Sequence, residues 1–136
     1  MVKLFNYLSS LFNGSKSIIG IGDIHGTSTW KKIIEHEAYD FVVFMGDYFD
    51  KDDKISMKEQ LENFNALIAL KHKHPNKVIL LIGNKDYHYF PWCQERYSDY
   101  CEEHAGYIQF LFMEGFKARI WQIGVFFDKF LFTHAG

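Results

Sequence analysis

The stretch KVILLIGNKD, residues 77–86, is an apolar run that stops at a glycine and hands over to Asn84, Lys85 and Asp86. It is short, rich in branched apolar residues and without alternation, which predicts a strand buried on both faces. Two segments upstream share the design. SIIGIGDIHG (17–26) stops at Gly22, and YDFVVFMGDYFD (39–50) ends in a glycine and carboxylates. Between the first two runs, Thr27 or Ser28 caps a helix extending to about Glu37, with Trp30, Ile33 and Ile34 facing inward. Between the second and third, Ser56 with Glu59 forms a capping box. The helix it opens carries Leu61, Phe64, Leu67 and Ile68 at helical spacing and is closed by Pro75 and Asn76. Strand, helix, strand, helix, strand is the pattern of a parallel sheet joined by right-handed crossovers, so the expected class is α/β.

Outward from this unit the sequence is less periodic. Residues 87–115 are aromatic-rich and predict a largely helical excursion broken by Pro91 and Gly106, and FKARIWQIGVFFDKFLFTHAG (116–136) predicts two strands joined at Asp128 and Lys129. At the other end Val2, Phe5, Leu8 and Phe12 mark one face of a short helix, giving an expected helical extension over 1–16 and one main domain over 17–136. That first segment lacks the basic face of a membrane-surface helix and a small-residue cleavage site, so no membrane association and no signal peptide are expected.

Composition narrows the function classes. A hydrophobic fraction of 48% excludes disorder, and a formal net charge of -2 leaves no electrostatic footprint for nucleic acid. Cys93 and Cys101 match neither a zinc-site spacing nor a disulfide framework; both are expected reduced, in a cytoplasmic protein.

In open α/β sheets ligands bind beyond the carboxyl ends of the strands. Four apolar runs end in ligand-bearing loops: GDIHG (22–26), GDYFD (46–50), GNKD (83–86) and THAG (133–136). Asp23, His25, Asp47, Asn84 and His134 would meet at one edge, offering carboxylate, imidazole and amide oxygen. That mixture suits manganese, iron or zinc better than calcium. Each motif alone is as well read as a turn or a hydrogen-bonding residue, but their succession after strands points to a metal centre.

On these four motifs the chain resembles the calcineurin-like metallophosphoesterases, within them the serine/threonine phosphoprotein phosphatase branch and its bacterial and phage-type relatives. The resemblance runs from about residue 18 to the last residue. It implies an α/β/β/α sandwich, of which this sequence is the N-terminal portion, with two divalent metal ions at the strand ends. It also implies that Asp23 and His25 hold the first ion, Asp47 bridges, and Asn84 and His134 belong to the second. A metal-bound hydroxide would attack a phosphomonoester, on a protein or a small molecule.

Three departures qualify this. Where the family has a histidine as general acid, held by an aspartate matching Asp50, this chain has Lys85, read either as a fixed charge on the leaving oxygen or as half of an Asp50–Lys85 salt bridge. His88, three residues on, is the candidate substitute acid, with a structural role as the alternative. The arginines that grip phosphate in that branch are replaced, since Ile82 precedes GNKD and Lys51 follows GDYFD, leaving Arg96 and Arg119 as candidates. Family members also continue past THAG to a further histidine ligand, so the expectation is a truncated domain whose exposed sheet edge invites self-association. The alternative function is an impaired remnant acting as a metal-, phosphate- or partner-binding module.

Overall fold

The computed structural model describes residues 2–9, 14–51 and 54–135, with side chains from residue 16 onward. Strands β1 (Val2–Ser9), β2 (Gly14–Ile21), β3 (Phe41–Phe44), β4 (Val78–Leu81) and β5 (Trp121–Gln122) form one sheet in that spatial order. β2 to β5 run parallel and β1 is antiparallel to β2. The helices are α1 (Thr29–His36), α2 (Met57–Lys73), α3 (Asn84–Tyr87) and α4 (Ala105–Lys117). A hairpin of β6 (Gly124–Phe127) and β7 (Phe130–Thr133) completes the described chain.

The period-two alternation of the strands divides the molecule into layers. Ile19, Ile21, Val42, Phe44, Val78 and Leu80 face the helices and pack with Trp30, Phe64, Leu67, Ile108 and Phe112. Ile18, Val43, Ile79 and Leu81 face the other way and meet Phe132, Val125 and Phe127 of the hairpin. The strands advance in one direction across the sheet, so right-handed crossovers keep the helices on one face. The hairpin alone among the described elements covers the other. Helices, sheet and hairpin give the α/β/β part of the expected sandwich; the outer hairpin face, with Phe126 and Leu131, is exposed.

Several sequence expectations hold. The Ser56–Glu59 capping box opens α2, and Asp128, at φ 52°, sits in the turn between β6 and β7. Ser28 precedes α1 without donating or accepting a side-chain cap bond. Two expectations differ. Val2–Ser9 forms a strand paired along its whole length with β2, where spacing alone suggested a helix. A single short amphipathic helix is marginal, whereas a strand here satisfies the backbone groups along the edge of β2. Phe12, the last residue of that pattern, lies outside the described residues. Trp121–Gln122 is a further parallel strand beside β4, so the final segment supplies both sheets.

Candidate metal centre

Three loops leaving the parallel strands are bound to one another through their backbones. The β2 loop lies along the β3 loop, with His25 N donating to Asp47 O at 2.8 Å and Gly26 N to Tyr48 O at 2.9 Å. The β3 and β4 loops meet at Gly46 and Gly83. A Cβ on Gly46 would fall 2.4 Å from Gly83 N, and one on Gly83 would fall 2.1 Å from Asp47 Oδ1. Only glycine permits that approach.

The clamp is Asp86, a residue the sequence reading quoted but gave no role. Its carboxylate accepts from Asp47 N (2.7 Å), Tyr48 N (2.8 Å) and Gly83 N (2.8 Å), and it is 1% exposed. Burial pushes its carboxyl up to about 8, against the pull of those three amides. The signal was present: an acidic residue three positions after the glycine that opens a helix is the place for a backbone-accepting carboxylate. From α2, Asn63 Nδ2 donates to Gly26 O, and Gln60 Nε2 donates to Asp50 O while its Oε1 accepts from Asp50 N. Gln60 and Asn63 fall on the same helical stripe as Phe64 and Leu67, and buried amides on an apolar stripe were the available clue.

On this frame the predicted residues separate into two groups. In the first, one ligand atom from each of Asp23, Asp47 and His134 lies within 4.8 Å of the others. His134 Nδ1 is 2.7 Å from Met45 O. A carbonyl only accepts, so Nδ1 donates to it. Nε2 on the other side of the ring faces Asn84 Oδ1 at 2.8 Å and Asp47 Oδ2 at 3.6 Å. An imidazole nitrogen, an amide oxygen and a carboxylate oxygen are thus turned toward one another, an arrangement that a cation would satisfy. The donor set therefore fits a divalent metal, and its mixed nitrogen and oxygen character fits a transition ion. Asp47 is buried, which raises its carboxyl, while the Lys85 amide donating to Oδ1 at 3.0 Å and the nearby His134 lower it. His25 and Asp47 hold positive φ values of 43° and 53°. Non-glycine residues in that region are strained, and such strain clusters at functional sites.

In the second group, His25, Asp50 and Asp99 bring ligand atoms within 4.8 Å of one another. His25 Nδ1 is 2.9 Å from Asp50 Oδ2, and its Nε2 is 3.7 Å from Asp23 Oδ2. The Asp50 contact is one of charge and distance, since His25 Nδ1 makes no hydrogen bond among the described residues, and it places a carboxylate behind the imidazole whose other nitrogen lies on the Asp23 side. Asp50, expected beside Lys85, thus stands behind His25.

The ammonium of Lys85 is paired with Asp99. That bond holds the lysine above its ordinary range, against partial burial, and holds Asp99 below the usual carboxylate range. Asp99 lies in the aperiodic 87–115 segment, where no sequence pattern announced it. His88 does not reach the site. It is fully buried among Tyr89, Tyr97 and Tyr100, its Nδ1 accepts from Tyr97 N at 3.3 Å, and burial lowers it to about 4. Arg96 donates to the carbonyls of Cys93 and Glu95 and lies over the Tyr100 ring, while Arg119 follows α4 with an amide bonded to Phe116 O. Those contacts join neither arginine to the ligand-type residues.

The family model for calcineurin-like phosphoesterase matches residues 16–136, and the chain belongs to that family. The family is one of metal-dependent hydrolases, in keeping with the two carboxylate and imidazole groups. No solved structure matches the chain.

Proposed function

We propose that the protein hydrolyses phosphomonoesters at a dinuclear centre held by Asp23, His25, Asp47, Asn84 and His134, in the manner of the serine/threonine phosphoprotein phosphatase branch. The observation that carries this reading is the convergence of His134 Nε2, Asn84 Oδ1 and Asp47 Oδ2 beside Asp23. Two divalent ions of manganese, iron or zinc would supply a water acidic enough to ionise near neutral pH and a clamp on the phosphoryl oxygens. Asp47 would be the shared ligand, since it stands between Asp23 on one side and His134 on the other. His25 presents Nε2 with Asp50 behind it. Lys85, anchored on Asp99, would hold a positive charge where the leaving oxygen develops a negative one, an electrostatic role that needs no proton transfer. The substrate is a phosphorylated protein or small molecule, and neither nucleic acid nor membrane is a partner. The free thiols of Cys93 and Cys101 support a cytoplasmic setting. Among the described residues no helix is long and apolar enough to cross a membrane. The exposed outer face of the hairpin favours self-association.

The test is metal content of the purified protein together with turnover of an aryl phosphate before and after chelation. Bound transition metal with chelator-sensitive turnover is expected; protein that takes up no metal and shows no turnover overturns the reading. The Lys85–Asp99 pair favours a second reading, in which the ammonium is committed to a loop contact and the chain is a metal- and phosphate-binding module. Metal and phosphate binding without turnover would select it.

A further inference from the structure

Beside the metal centre runs a groove of about 370 Å³, lined by Ile82, Tyr87, Tyr97, Ile123, Thr133 and the site residues Asn84 and His134. We propose that this groove holds the alcohol part of the substrate and that the preferred substrate is a phosphomonoester of an uncharged aromatic alcohol. The inference rests on the hydrolase reading for the phosphate end and goes beyond it in naming what the phosphate is attached to.

Position supports this first. Asn84 and His134 belong both to the proposed metal centre and to the groove wall, so an ester whose phosphorus sits on the metals has its alcohol at the groove mouth. Asn84 and Tyr87 are three residues apart in α3 and share one face of it, which ties the wall to the ligand. Chemistry supports it next. Among the described residues, His134 and the tyrosine phenols are the ionisable groups that line the groove, so a second phosphate, a carboxylate or an ammonium would find no charged partner in them. The tyrosine rings are 46% and 40% exposed and Ile123 is 85% exposed, which leaves flat apolar surface to stack against a ring. One wall is also fixed in place. The Tyr97 amide donates to buried His88, whose ring lies 5.8 Å from the Tyr97 ring. The fully buried histidine that does not reach the metals thereby acquires a role, that of holding Tyr97 in position.

The experiment compares benzyl phosphate with ethyl phosphate, whose alkoxide leaving groups differ little in basicity, so their kcat/KM ratio reports the groove. Loss of one stacking wall in Tyr97→Ala or Tyr87→Ala should lower that ratio about tenfold, the size of a good aromatic contact. Ile123→Glu, at a highly exposed position that cannot unfold the protein, should lower it in the same direction by placing a carboxylate in the groove. Unchanged ratios in all three variants overturn the proposal. A second measurement separates it from the hydrolase reading: titration of benzyl phosphate into chelator-treated wild type, followed at the Ile123 methyl resonances. A shift absent with inorganic phosphate supports the groove even if neither ester is turned over. No shift, or the same shift with inorganic phosphate, overturns it whatever the activity.

Discussion

The two halves of the site differ in how they are neutralised. Around His134, ligand-type atoms of Asp23, Asp47 and Asn84 converge, and among the described residues no lysine or arginine pairs with them. Around Asp99, the chain has placed Lys85 directly on the carboxylate. The first half is built for something that arrives; the second is complete as folded. A cluster of ligand-type residues is thus a metal site by virtue of what is left unneutralised among its atoms, more than by its residue types.

The largest expected effect tests the clamp common to both halves. Asp86→Ala leaves three buried amides without an acceptor and should cost about 3–5 kcal/mol of unfolding free energy, read by denaturant titration. A loss below about 1 kcal/mol would mean the loops are held by the glycine contacts alone. Next, Asp47→Asn should weaken metal binding more than about 100-fold, exceeding the usual effect of a residue behind a ligand. Asn84→Ala should do less, because it touches one group only. Metal retained at wild-type level in both variants would erase the distinction between the halves. A smaller effect is expected from Asp99→Asn. Loss of the anchor that holds Lys85 should lower turnover about 10- to 100-fold, with metal content unchanged because Asp99 is not among the proposed ligands. Metal loss in this variant would merge the two halves into one network.

The mildest test is of pH. His88 is neutral in the fold and held near 4, while the unfolded residue titrates near 6.5. As pH falls from about 6.5 to 4 the unfolded chain takes the proton and the fold does not, so stability declines over that window; above it His88 contributes no pH dependence. Because Asp86, raised to about 8, gains stability over the same fall in pH, the decline is read as a difference: between pH 6.5 and 4 the melting temperature of wild type should fall relative to that of His88→Phe, as followed by circular dichroism. The Asp99-bearing loop, packed on His88, should loosen first.

Much of this was legible in the sequence where local chemistry and tertiary role coincide. The three runs that stop at glycine, the capping box at Ser56 and the turn at Asp128 are short-range signals that the fold uses directly. Asp99 was not legible, because its partner is fourteen residues back across an aperiodic aromatic segment. The first strand was misread for a related reason. An apolar spacing of three describes an isolated helix, but the choice is made by the open edge of β2, which no window along Val2–Ser9 contains. Asp86 lay in plain view within GNKD, yet its three partners come from two loops.

His134 reaches the site from the hairpin, not from the parallel sheet that carries Asp23, Asp47 and Asn84. Its contact with Met45 spans 89 residues and its contact with Asn84 spans 50. Such distant pairings form late, because chain closure must be achieved before the contact rewards it. On a ribosome, a nascent chain that has emerged only through β5 already presents the carboxylates and the amide but cannot close the centre. On the proposed assignment, ion capture would then wait until the second sheet has docked.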